Sequence, residues 1–418
     1  MKQRTRWALS AAALCLIPLS FAAQEAEVDI SACRGIYTVL KAMRDGAPKE
    51  KVSSMLDTLL ETRPYQVMFN HYNRSWRPNH LPKPVFKRMI LSLQFGKEYS
   101  AGENERADTM RARWTKYYPD LSPYEKQLRR LEDANLSKLI NDAVRFAQEW
   151  LPPGWKIPKF YFPVIPNGGS PAFALENTQG YDFLQLAQGT IGEIDLNWLA
   201  GIVAHESHHL GMRSTLPGSL SPADTMAYRV VSLCVAEGVA TYFISGPPPG
   251  RVPAFKGTPF HTFTAELAKV WNDQVAAEED ILQHQIALLD KAVAGLLTED
   301  SLNADLREYW LNGVVGRAYT LGGEMFGAVY TAFGKEGVFA AIQDPRRLFE
   351  LYNAALDAKP EALKRCVRVT DKAVKQALAI GRGLKIPSSA EGPYNRIWFA
   401  AFYQYFTSVP TLKNLYLS

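Results

Sequence analysis

Cysteine is scarce in this chain of 418 residues: four in all, Cys15, Cys33, Cys234 and Cys366. Cys15 falls in an N-terminal leader and follows Leu14 rather than a small residue, which makes it a poor lipoprotein site. Three cysteines remain beyond the leader, so at most one disulfide can form within the chain. Cys33 and Cys366 stay open for it, because Cys234 sits on an apolar helical run where a small buried thiol is expected. Charge of one sign is lacking as well. Lys and Arg number 47 against 42 Asp and Glu, a net +5 that lies partly in the leader and is too diffuse for a nucleic-acid partner. Past the leader no apolar run reads as long enough to cross a membrane. There is no internal repeat and no low-complexity tract. With 47% hydrophobic and 21% charged residues, the composition argues against disorder.

What is present starts with MKQRTRWALSAAALCLIPLSFAAQEA. Lys2, Arg4 and Arg6 form a basic segment, Ala8 to Leu19 an apolar one, and Ser20-Phe21-Ala22 a small-residue exit. This is the pattern of a secretory signal peptide over residues 1–22, which predicts an exported chain, periplasmic or secreted. The remainder is long enough for a large core and for two domains. Residues 23–155 read as a helical N-terminal lobe. Ile30–Met43, Val52–Leu60, Val85–Leu93 and Tyr124–Trp150 carry apolar residues three and four apart. Between them, Asn70 to Pro84 reads as a loop whose His71 and His80 are not ligands. LPPGWKIP, Leu151 to Pro158, marks the break to a second region, residues 156–418. There KFYFPVIPNGG and GYDFLQLAQG are short aromatic runs bounded by Pro, Asn and Gly, which predicts strands.

The chain is organised around LNWLAGIVAHESHHL, Leu196 to Leu210. Leu196, Leu199, Ile202 and Val203 recur at helical spacing, and Asp195 or Asn197 can cap the start. On a helix, His205 and His209 at i and i+4 share a face and can reach one metal ion. Glu206, beside the first His, leans toward the same ion and can accept a proton from water. Continuation to a third His would need Gly at 212 and His at 215. Met212 and Thr215 stand there, which excludes the metzincin pattern.

The other common third ligand is a carboxylate from a second helix. ADTMAYRVVSLCVAEGVATYF, Ala223 to Phe243, reads as that helix, and Glu237 is the lone acid of its apolar second half. Such a carboxylate is costly unless it meets a cation or a metal. Pairing with Arg229, two turns earlier, is the alternative. Gly238 and Ala240 are small enough for helices to cross closely.

AHESHHL followed by AEGVATYF resembles the gluzincin type of zinc metallopeptidase. It is most similar to uncharacterised bacterial families of zinc-dependent peptidases with an H-E-x-x-H helix and an E-G-x-A-x-Y helix. The resemblance is strongest over Pro158 to Tyr352. It implies one zinc ion per chain on His205, His209 and Glu237, with Glu206 as general base and a peptide or protein as substrate. The 28 residues from His209 to Glu237 (237 − 209) exceed the spacing of the best-known gluzincins. The aminopeptidase signature G-x-M-E-N is not there. The implied fold is α+β and mainly α-helical, zincin-like, with a small sheet just before the H-E-x-x-H helix. Its edge strand would take up an extended peptide and is expected in one of the two aromatic runs.

A peptidase of this kind also needs a donor for the oxyanion. In NGVVGRAYTLGGEMFGAVYTAFG, Asn312 to Gly334, Tyr319 is the first choice, ahead of Arg317 and Tyr242; core packing of its ring is the alternative. Gly316, Gly322, Gly323 and Gly327 would permit close helix approach. Thr262 to Leu297 reads as one amphipathic helix holding a partly buried His284. The aromatic run NRIWFAAFYQYF, residues 395–406, is expected to close the core. Two rival functions use the same motifs: an inactive zincin-fold binding or scaffold protein of the cell envelope, and a hydrolase of non-peptide amides such as cell-wall cross-links. Retention of Glu206 with every ligand favours an enzyme. Oligomeric state is open.

Overall fold

The computed structural model describes residues 26–73, 80–169, 172–175, 177–186, 193–212, 220–313 and 315–382. The leader at 1–22, Cys15 and the aromatic run at 395–406 lie outside these residues. Strand β1 (Glu27–Asp29) precedes helices α1 (Ser31–Arg44), α2 (Lys49–Leu60), α3 (Arg63–Tyr72), α4 (Lys83–Phe95), α5 (Glu105–Tyr117), α6 (Ser122–Asp133) and α7 (Leu136–Gln148). Three strands follow, β2 (Tyr161–Ile165), β3 (Ala172–Leu175) and β4 (Thr178–Asp182). Beyond them come α8 (Leu196–Gly211), α9 (Pro222–Ser232) and α10 (Val235–Val239), which runs into a π-helical turn, Ala240–Ser245. Helices α11 (Ala265–Ala276), α12 (Glu278–Val293), α13 (Glu299–Asp305), α14 (Arg317–Gln343), α15 (Leu348–Ala358) and α16 (Asp371–Ala379) complete the order. The fold is thus α+β and mainly helical, 66% helix with a small mixed sheet, as expected.

The sheet order is β1-β2-β4-β3. β1 and β4 flank β2 in parallel, with Val28 opposite Phe162 and Val164 opposite Tyr181, while β3 returns antiparallel to β4. Both aromatic runs therefore hold interior strands. The expectation that one of them supplies the edge is corrected: the edges are β1 and β3. Neither edge was legible locally, because three or four residues gain strand geometry only from their pairing partner. One continuous cluster of buried apolar side chains reaches from Ala26 to Ile380. It joins the N-terminal helices to the sheet, and α7 lies along α8.

Several helix expectations also change. Asn70, His71 and Tyr72 finish α3 rather than forming a loop, and the buried His71 ring stacks on Phe173 at 4.2 Å. Pro64 at the start of α3 suits a helix N-terminus, where a missing N–H costs nothing. Tyr124–Trp150 is two helices, separated where Asn135 caps α7 by accepting from Lys138 N. Thr262–Leu297 likewise divides at Ala277. Cys33, Cys234 and Cys366 are all free thiols.

By length and composition alone the stretch Pro222–Ser245 is long and apolar enough to cross a membrane, so the reading of no such run is corrected. Its apolar window is 89% buried inside the protein. Leu233 and Cys234 also break it, so the helix expected over Ala223–Phe243 is α9, α10 and the π-turn in succession.

Candidate metal centre

Asp195 caps α8, accepting from Trp198 N at 2.9 Å. Leu199, Ala200, Val203 and Ala204 are buried, and His205, Glu206 and His209 are buried with them. Apolar contact around α8 therefore holds its polar residues inside the molecule, which only a built site makes tolerable. The i, i+4 spacing brings the rings of His205 and His209 to 4.7 Å between centroids, nearly perpendicular at 85°.

Helix α10 delivers Glu237, fully buried, against both rings. His205 Nε2 lies 3.0 Å from Glu237 Oε2, and His209 Nε2 lies 3.3 Å from Glu237 Oε1. The three ligand atoms fall within 4.8 Å of one another. Tetrahedral zinc with bonds of about 2.0–2.1 Å places its ligand atoms roughly 3.3–3.4 Å apart. The two measured separations are close to that, and two imidazoles with one carboxylate are a donor set that zinc favours. The residues fit a zinc ion. Among the described residues this is the one group of three or more His, Cys, Asp or Glu side chains placed to hold a metal.

Arg229, the other partner weighed for Glu237, donates instead to Asn303 at 2.9 Å and pairs with Glu299 at 3.5 Å. Burial would push the Glu237 carboxyl up, but the imidazoles of His209 and His205 overcome it and hold it down to about 2. Burial works against a charged His209 ring, yet the Glu237 charge beside it leaves the ring raised. His208 differs from its neighbours. Burial, with His209 close by, takes it down to about 3, so it is neutral and donates from Nε2 to Trp150 O at 3.2 Å.

Tyr319 enters the same site. Gly238 of α10 and Gly322 of α14 meet backbone to backbone: a Cβ on Gly238 would lie 2.5 Å from Gly322 C. Tyr319 is one turn before Gly322, so this crossing carries its phenol near Glu237, whose charge acts on it, with the ring 6.2 Å from that of His205 and nearly parallel. Burial first, then the charges of Glu237 and Glu206, raise its hydroxyl well above the usual phenol range. Glu206 is buried beside this space, near enough for its charge to act on His209 and on Tyr181 of β4. The other two candidate donors are turned elsewhere. The Arg317 guanidinium lies 4.2 Å over the Tyr309 ring and bonds Tyr309 O, and Tyr242 donates to Pro253 O.

Two features escaped the sequence reading. Gln179 of β4 donates to Ser207 Oγ at 3.0 Å and accepts from Tyr181, which ties the sheet to α8 beside Glu206. Ser245, last of the π-turn, lies 2.9 Å from His205 Nδ1. In an uninterrupted α-helix, eight residues at about 100° each leave Ser245 roughly 80° round from Glu237. The wider π-turn removes that offset, so helical periodicity could not have found it.

The centre thus joins two histidines and one carboxylate, buried on neighbouring helices beside a small mixed sheet, a donor set that suits zinc. A family model described as "Putative zinc dependent peptidase (DUF5700)" matches residues 56–361, and the chain belongs to that family. His205, Glu206, His209, Glu237 and Tyr319 all fall inside the match. No curated protein and no solved structure matches the chain.

Proposed function

We propose that this chain is a gluzincin-type zinc metallopeptidase that cleaves peptide bonds, with one zinc ion held by His205, His209 and Glu237. The convergence of those three buried ligand atoms carries the reading. Zinc held there would polarise the scissile carbonyl and make a water acidic near neutral pH. Glu206, one residue from the first ligand, takes that water's proton and returns it to the leaving amine. Tyr319 donates from its hydroxyl to the carbonyl oxygen as charge gathers there. Its ring lies nearly parallel to that of His205 at 6.2 Å, which keeps the phenol beside the site before substrate arrives. The basic-then-apolar leader over residues 1–22 supports export to the periplasm or beyond. Intact Glu206 and a complete ligand set favour turnover over a scaffold role.

The test is metal analysis with a peptide-library digest of the parent, Glu206→Gln and Glu237→Ala. The parent should carry one zinc per chain and cleave. Glu206→Gln should keep zinc and lose hydrolysis, because its amide cannot accept the proton. Glu237→Ala should lose zinc. A folded Glu237→Ala with full zinc would remove Glu237 from the ligand set and point to His208 or Asp224, and parent-rate turnover by Glu206→Gln would end the general-base assignment.

A further inference from the structure

The His205 ring is held at both nitrogens. Nε2 faces Glu237 at 3.0 Å, and Nδ1 faces Ser245 Oγ at 2.9 Å, with Ser245 5% exposed. A metal on Nε2 would need the lone pair there, which would leave the ring proton on Nδ1, donating to the Ser245 hydroxyl. A ligating histidine gains orientation and basicity from such an outer acceptor.

The backbone that carries Ser245 is pinned. Ending α10 in a π-turn shifts the pattern of backbone hydrogen bonds, and the last carbonyls need partners from outside. Thr258 Oγ1 donates to Ile244 O at 2.7 Å. Thr262 donates to Ser245 O twice, from its backbone N–H at 3.0 Å and its Oγ1 at 2.9 Å. Gly246 then leaves the helix with φ +67, and a Cβ there would lie 2.5 Å from Phe260 O. Segment 258–262 thus clamps the final residues of the turn, and the turn itself brings Ser245 onto the face that carries Glu237.

Taking the zinc reading as given, we infer that Ser245 is a positioning residue for the metal, the acceptor that fixes the ring plane and tautomer of His205. The juxtaposition is specific to this chain's π-turn: α8 supplies the ligand, and the residue eight beyond Glu237 supplies its outer partner. A serine that merely fills core space would contribute to stability and leave metal affinity alone.

The test uses the full chain and zinc itself. Zinc dissociation constants are measured by competition with a chromophoric chelator for the parent, Ser245→Ala, Ser245→Thr and Glu237→Ala, with the melting temperature of each metal-free protein. Ser245→Ala should bind zinc about 10–100-fold more weakly while its metal-free melting temperature stays near the parent's. Ser245→Thr keeps the acceptor and should bind within a few-fold of the parent. If the parent binds zinc and Glu237→Ala does not, yet Ser245→Ala binds as tightly as the parent, the inference fails and the metal site stands. An equally deep loss in a folded Ser245→Thr would remove the hydroxyl from the account. A parent that binds no zinc would overturn the metal reading, and this inference with it.

Discussion

Gly322→Ala tests whether the site depends on the crossing of α10 and α14. A Cβ at Gly322 would lie 2.3 Å from Cys234 O, 2.8 Å from Gly238 Cα and 3.0 Å from Gly238 N. All three are backbone atoms, so no rotamer change can clear them. Ordinary contact begins at 3.4 Å, which requires the helices to part by about 1.1 Å (3.4 − 2.3). Two effects compete. Alanine favours a helix over glycine by about 1 kcal/mol, whereas forcing an extra methyl into a packed core costs about 1–3 kcal/mol. With backbone on both sides the clash should win toward the upper end of that range. At roughly 2–4 °C per kcal/mol in a chain this large, the melting temperature should fall by several degrees. Zinc affinity should fall too, because Glu237 and Tyr319 ride on the two helices being separated. Gly35→Ala is the internal control. Its Cβ would come within 2.4 Å of Leu59 Cδ1, the far end of a flexible side chain that can swing aside, so it should be close to neutral. Thermal melts and zinc titrations of both variants decide the matter. A Gly322→Ala protein as stable and as zinc-avid as the parent would refute the close crossing as the device that assembles the site.

Tyr319→Phe should lower kcat about a hundred- to a thousand-fold with zinc saturating, since the phenol already lies beside the His205 ring. Unchanged kcat with weaker zinc binding would instead make Tyr319 a support for Glu237. Away from the site, burial and the nearby Glu324 charge push the Glu278 carboxyl up to about 8, and burial pushes Glu324 up to about 7. Both lie above the unfolded value of 4.5, so the folded protein retains protons the unfolded chain releases, and stability should fall as pH rises from about 4.5 to 8, by at most about 1.4 kcal/mol per pH unit for each proton. Melting curves across that range should show a weaker fall in Glu278→Gln, and a parent whose stability rises through pH 5–8 would contradict the sign.

What the sequence made legible was local. Apolar spacing from Leu196 to Val203, the Asp195 cap and the i, i+4 histidines specify α8 without help from the rest of the fold. Glu237 stood out because a lone acid in an apolar helix is expensive, and its neighbours here are the two histidines. Gly322 signalled a close approach but not with what; the partner, Gly238, is 84 residues away (322 − 238) and only tertiary structure joins them. Strand order was not legible for the same reason. β1 has three residues and is a strand because Phe160 O and β2 accept and return its hydrogen bonds. Helix breaks at Leu233–Cys234 and at Ala277 contain neither Gly nor Pro, so no breaker marked them.

The π-turn is where local reasoning fails most completely, and that failure has a physical cause. ATYFIS holds weak helix formers but no Gly or Pro that would end the α-helix begun at Val235. A π-turn is wider than an α-helical turn and rarely adopted, and here the terminal carbonyls of Ile244 and Ser245 are taken up by Thr258 and Thr262. A local conflict of this kind persists only where tertiary contacts over-determine it, and such conflicts concentrate at functional sites. Here the over-determining contacts are the threonine clamp, the left-handed exit at Gly246 and the bond from Ser245 to His205. The first two would hold an irregular helix end anywhere. The third has consequences only because His205 faces Glu237 with its other nitrogen. The irregular turn and the ligand cluster are therefore one construction: the same six residues that break helical periodicity set the orientation of the first histidine.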